Sequence, residues 1–365
     1  MSMAARVRVV IGGGGTGGHV YPGIAVAREF VRQRPEAVVT FVGTARGLEA
    51  RAVPDAGFEV EHIRSAGLKA RSWGATARSA ALLPLSAWDA WRALSRLRPH
   101  LVIGVGGYSS GPTVLLAALR GIPTMVLEQN AWPGLTNRLL APFVRTAAVS
   151  FETARASFGG KAFVSGNPVR PEFLAPREEA EAPSDTIRLL VIGGSRGARP
   201  INEAMSLAAP ALAAVQPRIV VTHQSGARDV ERLRVAYRAA GVAARVEAFL
   251  EPMAPEMRAA QLVLCRAGAT TLAEVAAVGR PSILVPLATA ADDHQRRNAE
   301  VIARAGGAEL LLQADLSAAS ITERIAALAG DSPRLAAMAK AVGQFARPDA
   351  ASMIVERGLQ LVESR

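Results

Sequence analysis

The sequence predicts two α/β domains, each built around a doubly wound parallel sheet. Short apolar runs rich in β-branched residues, such as 6–11, alternate with helical patterns along the chain. Continuous apolar runs are typical of parallel strands covered by helices on both faces. The same order of strand, glycine turn and helix begins again at residues 187–192, about half a chain later. A length of 365 residues also suits two domains.

Each further element has its own signal. In the first half, strands are predicted at 38–42, 101–103 and 124–127, and helices at about 23–34 and at 112–119. In the second half, a helix is predicted from about Pro200, and strands at 218–222, 246–249, 262–265 and 282–285. Residues 172–184 contain prolines and several acidic residues, which favours a linker between the domains.

Composition and charge limit the function. Forty-two Lys and Arg against 31 Asp and Glu give a net charge of +11, which favours anionic partners. The single cysteine, Cys265, excludes a disulfide framework and a multi-cysteine zinc site. No signal peptide or membrane-spanning run is predicted, so we expect a cytoplasmic protein, dissolved or on a membrane surface. Only 5% of the residues are aromatic, which disfavours nucleic acid as the partner.

Three glycine-rich turns follow predicted strands, at 12–18, 104–111 and 193–198. Glycine lets backbone amides approach an anion, and the helix N-terminus that follows adds a favourable dipole. Residues 13–18 match a dinucleotide fingerprint, but the second strand ends in Gly43 and Thr44 where that fingerprint has an acidic residue. The turns therefore predict phosphate binding rather than NAD or FAD binding.

Seven motifs across about residues 6–300 carry a resemblance to a known family. They are GGTGGHVYPGIA at 14–25, GGYSSGP at 106–112, EQN at 128–130, GNPVR at 166–170, GGSRGA at 193–198, HQSG at 223–226 and DDHQRRNA at 292–299. Together they closely resemble the bacterial UDP-N-acetylglucosamine:lipid I N-acetylglucosaminyltransferases of peptidoglycan synthesis.

The resemblance implies a GT-B arrangement, in which two Rossmann-like domains face each other across a cleft. Residues 1–170 would form the acceptor and membrane domain, to which 350–365 return, and 171–349 would bind the UDP-sugar. The implied reaction is inverting transfer of N-acetylglucosamine to the muramoyl sugar of lipid I, which forms lipid II. It implies a peripheral enzyme on the cytoplasmic face of the inner membrane, with other cell-wall synthesis enzymes as partners.

The resemblance also assigns donor residues. Leu250 lies where the family holds uracil by its backbone, and Gln295 where it reads sugar hydroxyls. The stretch that caps the diphosphate and binds the ribose is Ala269, Thr270, Thr271, Leu272, Ala273 and Glu274. Ser195 and Arg170 match further donor contacts. Three alternatives stay open: Glu274 is a solvated helix residue, Arg170 is a surface charge, and His294 only packs rather than assisting.

On the acceptor side, six residues of two glycine turns are expected to face the acceptor diphosphate: Gly14, Gly15, Gly106, Gly107, Tyr108 and Ser109. Thr16, Gly17 and Gly18 match positions of donor contact. Asn130 would orient or stabilise the reacting groups, since an amide is no base. His19 either takes the proton of the attacking hydroxyl or orients the loop and pairs with a phosphate. The chain has no Asp-x-Asp triplet, so we expect no metal held by the protein, while Mg²⁺ stimulates through the substrate diphosphates.

Residues 62–98 predict contact with an anionic membrane. Seven basic residues stand there against one acid, Asp89. The apolar members of the predicted patch are Leu82, Leu83, Leu85, Trp88 and Trp91. Aromatic and aliphatic side chains flanked by arginine suit the headgroup layer. The alternative is a core helix with a solvated basic face. Pro84 is expected to break the helix.

Overall fold

The structure, a computed structural model, describes residues 6–65, 82–175, 185–193 and 197–364. The chain forms two compact units: Met1–Arg170 with Arg347–Arg365, and Pro171–Ala346. Each unit contains one sheet in which all the paired strands are parallel, interleaved along the chain with helices. The predicted α/β fold class is therefore confirmed. Within the described ranges, no helix is long and apolar enough to cross a membrane.

Unit 1 has a seven-stranded sheet in the order β3-β2-β1-β4-β5-β6-β7. Its strands are β1 Arg8–Gly13, β2 Val38–Gly43, β3 Glu59–His62, β4 Leu101–Gly106, β5 Thr124–Glu128, β6 Thr146–Val149 and β7 Ala162–Val164. Its helices before the second unit are α1 Gly17–Gln33, α2 Glu49–Asp55, α3 Leu83–Leu97, α4 Ser110–Leu119 and α5 Leu135–Leu140.

Both faces of this sheet are covered. Val9 and Ile11 of β1 belong to one buried cluster, and Val10 between them belongs to another on the opposite face. Successive strand side chains point to opposite faces, so a strand buried on both sides must be apolar throughout. This explains why the central strands were predictable as continuous apolar runs.

Unit 2 has a six-stranded sheet in the order β10-β9-β8-β11-β12-β13. Its strands are β8 Thr186–Ile192, β9 Arg218–Gln224, β10 Ala243–Glu247, β11 Leu262–Cys265, β12 Ser282–Leu284 and β13 Ala308–Leu310. Its helices are α6 Arg199–Leu212, α7 Val230–Ala239, α8 Met253–Ala259, α9 Ala269–Val278, α10 His294–Arg304, α11 Ala318–Ala329 and α12 Ser332–Gly343.

The last helix, α13 (Ala350–Glu363), belongs to unit 1. Its Ile354 and Val355 are fully buried in the same cluster as Phe30 of α1. Gly358 lets the helix approach closely, because a Cβ there would meet Leu101 and Phe30. The C-terminus is thus part of the core on which the first glycine turn is built.

In both sheets the strand order reverses next to the first strand of the unit. β1 lies between β2 and β4, and β8 lies between β9 and β11. Connections leave such a point in opposite directions, which opens a crevice at the carboxyl ends of the two strands. The glycine turns after β1 and β4 are therefore placed where an α/β sheet binds ligands, and β8 ends at the corresponding point of unit 2.

Several predicted element bounds were wrong. Helix α1 begins at Gly17 rather than near Gly23, because packing of the turn overrides the weak helix propensity of Gly17, Gly18 and Pro22. Strand β10 ends at Glu247, two residues before its predicted end. Pro84 lies in the first turn of α3, which tolerates proline, and residues 66–81 before it lie outside the described ones.

The predicted linker begins too early. Pro171–Phe173 forms a short 3₁₀ helix, and the Phe173 side chain is buried. The Glu172 carbonyl accepts a hydrogen bond from Arg258 Nη1 of unit 2. Residues 176–184 of that prediction lie outside the described residues.

Candidate active site

The first two glycine turns of unit 1 pack against each other. Gly14 N donates to the Gly106 carbonyl oxygen at 3.2 Å. A Cβ on Gly107 would overlap the Gly14 backbone, and a Cβ on Gly106 would overlap the His19 ring. Both Gly106 and Gly107 also have positive φ, at 92° and 83°. The two predicted acceptor loops therefore form one continuous backbone surface at the reversal point of the sheet.

The amide groups of the first turn fall into two sets. Gly14 N is used by Gly106, and Gly15 N donates to Glu49 Oε2 at 2.6 Å. Gly17 and Gly18 instead open α1 after its N-cap residue Thr16, and first-turn amides have no carbonyl partner in their own helix. The helix dipole favours negative charge there. An anion at this turn would thus bind the start of α1 rather than the amides of Gly14 and Gly15.

His19 lies in the first turn of α1 with a defined ring orientation. Its Nδ1 is 3.2 Å from the Gly14 carbonyl oxygen and 3.4 Å from Thr16 Oγ1. A carbonyl oxygen only accepts, so we assign the ring proton of neutral His19 to Nδ1. Nε2 then carries the lone pair that a general base needs. This geometry suits the proton-accepting role but also allows the orienting role.

Tyr108 and Ser109 of the second turn differ in exposure. Tyr108 is 55% exposed. Ser109 is buried, and its carbonyl accepts a hydrogen bond from Thr113 Oγ1 at 2.8 Å. Tyr108 rather than Ser109 therefore presents a side chain at the surface of this loop.

Asn130 is held by a buried carboxylate that the sequence analysis did not select. Glu128 Oε1 accepts from Asn130 N at 2.9 Å and from Asn130 Nδ2 at 3.1 Å, and Oε2 accepts from Gly134 N and Asn137 Nδ2. Complete burial raises the pKa of the Glu128 carboxyl, although these four donors oppose the rise. Glu128 therefore sets the direction of the Asn130 amide at the end of β5.

Arg170 lies beside the first turn within unit 1. Its guanidinium carbon is 5.8 Å from the centroid of the Tyr21 ring, a cation–π contact. Tyr21 in turn packs beside Gly17, where an added Cβ would meet its ring. The charge of Arg170 is thus close to the start of α1.

In unit 2, the start of α9 has the features of a phosphate site. Helix α9 follows Gly268, so the amides of Ala269, Thr270 and Thr271 occupy its first turn. Within the described part of the chain, the buried Thr270 hydroxyl has no hydrogen-bond partner. Arg266, in the turn before α9, links that turn to the residues after β12, since its Nη1 donates to the carbonyls of Val285 and Pro286 at 3.1 Å each. A bound phosphate oxygen would satisfy the first-turn amides.

Glu274, one turn further along α9, is buried, with 7% of its surface exposed. The alternative of a solvated helix glutamate is therefore wrong. Leu272 is also buried, and Ala273 is half-buried.

Burial, together with the Glu274 charge, raises the pKa of the Cys265 thiol to about 12, so this cysteine stays a neutral core residue.

The backbone at Leu250 is oriented by a buried glutamine. Leu250 N donates to Gln224 Oε1 at 3.0 Å, and both residues are buried. The neighbouring Phe249 is 56% exposed. Gln224 therefore fixes the peptide that the resemblance assigns to uracil.

Gln295 is oriented in a similar way. Its Oε1 accepts from Leu287 N at 3.0 Å, which leaves the amide NH₂ to donate. It follows Asp292 and Asp293, which both have left-handed backbone, with φ of 53° and 54°. His294 is half-buried, with Nδ1 2.7 Å from the Ala291 carbonyl. Ser195 lies outside the described residues.

A buried polar network lies at the end of β9. His223 is fully buried, with Nδ1 3.0 Å from Tyr237 Oη and Nε2 3.1 Å from Asn202 Oδ1. Asn202 Nδ2 donates to the Ser225 carbonyl and to Asp229 at 2.8 Å each. His223 therefore donates from Nε2, and its burial favours the neutral imidazole, in which Nδ1 accepts from Tyr237 Oη. Burial lowers the pKa of His223 to about 3 and raises that of Tyr237.

The predicted membrane patch lies on α3. Its inward face is Ser86, Ala90, Ala93 and Leu94, which are buried. Four large apolar side chains of this helix are each more than 40% exposed, and we call them the tryptophan face: Leu83, Leu85, Trp88 and Trp91. Leu82 is half-buried. The Arg120 guanidinium carbon lies 4.6 Å from the centroid of the Trp91 ring. Helix α3 thus buries one face and exposes apolar side chains together with Arg92 and Arg96, so membrane contact and a core helix with a solvated basic face both stay predictions.

Glu49, Glu128 and Gln224 are the residues that sequence reasoning missed. Glu128 stands in the motif EQN beside Asn130, and Gln224 stands in the motif HQSG, so their positions gave a signal. Glu49 had no such signal, because a glutamate at the start of a helix is usually solvated.

Two family models cover most of the chain. The N-terminal domain model of glycosyltransferase family 28 matches residues 9–149, and its C-terminal domain model matches residues 188–354.

Curated relatives are similar over nearly the full length. A protein of Anaeromyxobacter sp. (strain K) is 44% identical over 98% of this chain and 94% of its own. One of Geobacter sulfurreducens is 43% identical, over 96% and 97%. Both are named UDP-N-acetylglucosamine–N-acetylmuramyl-(pentapeptide) pyrophosphoryl-undecaprenol N-acetylglucosamine transferase. The crystal structure of MurG from Acinetobacter baumannii superposes with a TM-score of 0.81 at 30% identity, covering 97% of this chain and 99% of that one.

The His223 network predicts acid sensitivity. The unfolded chain binds a proton at His223 below its ordinary pKa of 6.5, whereas the folded chain does not until about 3. Stability is therefore lost as pH falls through this window. Between pH 7.5 and 5.5 the wild type should lose about 1.4 kcal/mol more than the His223→Gln variant.

Urea unfolding followed by circular dichroism at both pH values measures this difference. His294→Gln, which replaces a histidine that is not fully buried, is the control and should keep the wild-type pH dependence. An identical loss in wild type and His223→Gln would contradict the assignment of a neutral buried imidazole.

Proposed function

The chain belongs to glycosyltransferase family 28, and from this premise we propose that it transfers N-acetylglucosamine from UDP-N-acetylglucosamine to the muramoyl sugar of lipid I. Lipid I is the undecaprenyl-pyrophosphoryl-N-acetylmuramoyl-pentapeptide, and the product is lipid II of peptidoglycan synthesis. The observation that carries the proposal is 44% identity over 98% of the chain with a relative named for this reaction. The enzyme is thus an inverting hexosyltransferase.

The geometry of unit 2 supports binding of the nucleotide sugar. The first-turn amides of α9 would donate hydrogen bonds to the diphosphate oxygens. Glu274, which is buried one turn further along α9, would accept from the two ribose hydroxyls. The Leu250 carbonyl would accept from uracil N3–H, because its amide is engaged by Gln224.

The geometry of unit 1 supports the acceptor side and the chemistry. The acceptor hydroxyl attacks the anomeric carbon, the bond to the UDP phosphate oxygen breaks on the opposite face, and the hydroxyl proton leaves. His19 Nε2 is the group that suits removal of that proton. Amides at the start of α1 and the Arg170 guanidinium would stabilise phosphate charge. Asn130, held by Glu128, would orient a reacting group.

We further propose that no metal held by the protein is required. Helix N-termini and Arg170 would stabilise the charge that grows on the leaving diphosphate. Added Mg²⁺ would stimulate through the substrate diphosphates, whose oxygens are ligands that Mg²⁺ prefers.

The tryptophan face supports a peripheral location on the cytoplasmic side of the inner membrane. Lipid I is anchored in the bilayer, so the enzyme must work at its surface. The exposed rings of Trp88 and Trp91 suit the headgroup layer, and Arg92 and Arg120 lie beside them to meet anionic lipid. Other cell-wall synthesis enzymes are proposed as protein partners at the same membrane surface.

Incubation with radiolabelled UDP-N-acetylglucosamine and a lipid I analogue tests the proposed reaction. We expect one labelled N-acetylglucosamine per acceptor, and much slower transfer from UDP-N-acetylgalactosamine, because a site that bonds a hydroxyl rejects the epimer. Release of UDP without acceptor, or transfer to no lipid-linked sugar, would contradict the proposal.

The two roles left open for His19 are separated by His19→Ala. If Nε2 removes the proton, kcat should fall by about 10²–10⁴-fold while the Kd for UDP stays within twofold, since UDP binds unit 2. Single-turnover kinetics and calorimetric titration with UDP measure the two effects. An unchanged kcat would leave His19 without a catalytic role.

Membrane contact is tested with the double variant Trp88→Ser and Trp91→Ser. We expect loss of co-sedimentation with phosphatidylglycerol vesicles, because two large apolar side chains no longer enter the headgroup layer. Leu207→Ser, on a side chain of unit 2 that is 67% exposed, is the matched control and should bind like the wild type. Equal binding of all three proteins would refute the assigned surface.

A further inference from the structure

A buried carboxylate lies directly beneath the first glycine turn. Glu49 is the first residue of α2, yet only 1% of its surface is exposed. Its Oε2 accepts from Gly15 N at 2.6 Å, and its Oε1 accepts from Thr44 N and Thr44 Oγ1 at 2.8 Å each. One side chain therefore ties the end of β2 to the turn that follows β1.

Glycines from two segments make room for this carboxylate. A Cβ on Gly14, Gly43 or Gly47 would overlap the Glu49 side chain. Close packing of this kind allows the carboxylate few positions, so its hydrogen bonds to the turn are geometrically restricted.

The charge of Glu49 is retained inside the protein. Burial acts to raise the pKa of its carboxyl, but the hydrogen bonds from the Gly15 and Thr44 amides and from the Thr44 hydroxyl together lower it. The group is thus an ionised acceptor at neutral pH, and hydrogen bonds to an ionised acceptor are about twice as strong as neutral ones.

The contact with Gly15 reaches His19 through a single peptide group. The Gly15 N–H and the Gly14 carbonyl belong to the same planar peptide bond. Glu49 holds its N–H end at 2.6 Å, and the carbonyl at its other end is 3.2 Å from His19 Nδ1. A carboxylate that polarises this peptide makes the carbonyl a better acceptor for the Nδ1 proton.

We propose that Glu49 is a positioning residue for glycosyl transfer, which acts on His19 through the Gly14–Gly15 peptide. It holds the imidazole in the tautomer that carries its proton on Nδ1 and presents Nε2 to the acceptor hydroxyl. The effect on turnover rests on the proposed function, whereas the link between Glu49 and His19 does not.

Glu49→Gln is the direct test, because a side-chain amide has one acceptor oxygen in place of two and turns an NH₂ group toward an N–H donor. We expect kcat with the lipid I analogue to fall about 10–100-fold, as for other residues that orient a reacting group. The Kd for UDP should stay within twofold. Thr44→Val is the matched control, since it removes one hydrogen bond to the same carboxylate but keeps its charge and the Gly15 contact.

The tautomer of His19 is read by nitrogen NMR of protein labelled at histidine, with His19→Ala to assign the signal. The wild type should show protonation at Nδ1, Thr44→Val should keep it, and Glu49→Gln should shift it toward Nε2. Protonation at Nε2 in the wild type would overturn the proposal even if Glu49→Gln failed to fold. A kcat of Glu49→Gln within twofold of the wild-type value would also overturn the proposal. Equal losses of kcat in Glu49→Gln and Thr44→Val would overturn it as well.

This design separates the two proposals. If the wild type transfers no sugar to lipid I, the proposed function fails, but the NMR signal of His19 still decides whether Glu49 sets its tautomer.

Discussion

Backbone amides that must find an acceptor are the constraint on which both units depend. Each glycine turn leaves amides near a sheet edge, and buried amides without partners are costly. In unit 1 the protein meets this cost with ionised or buried carboxylates, Glu49 under the first turn and Glu128 beside Asn130. The amides left at the start of α1 are then the ones available to a ligand. Within one turn, the amides that hold the structure are thus distinct from those that the proposed function assigns to a ligand.

Unit 2 holds backbone groups mainly with side-chain amides. Asn202 donates to the Ser225 carbonyl just after β9 and is itself bonded to His223, and Gln224 accepts from the Leu250 amide. Asp229 also accepts from Asn202, so this network contains one acid.

The strands that could be predicted from the sequence are those that are buried on both faces of a sheet. Central strands such as β1 and β4 are covered on both faces, so they are apolar throughout and visible in the sequence. The edge strand β3, with sequence Glu-Val-Glu-His, has charged side chains that protect an edge from pairing, and no pattern indicated it. The start of α1 was misplaced because glycine and proline are poor helix formers, and only packing of the turn makes a helix there.

The amino-acid sequence by itself determined the fold class, the two-domain order and the family, because apolar periodicity and long motifs are properties of the chain alone. It also indicated His19, Asn130 and the start of α9 as candidate site residues. Tertiary structure decided which atoms of those residues form hydrogen bonds within the protein. Glu49 lies 34 residues from Gly15 along the chain, yet its carboxylate accepts the Gly15 amide hydrogen bond. No local pattern encodes such a contact, since it arises only when β1 and β2 pair in parallel and bring the ends of two strands together.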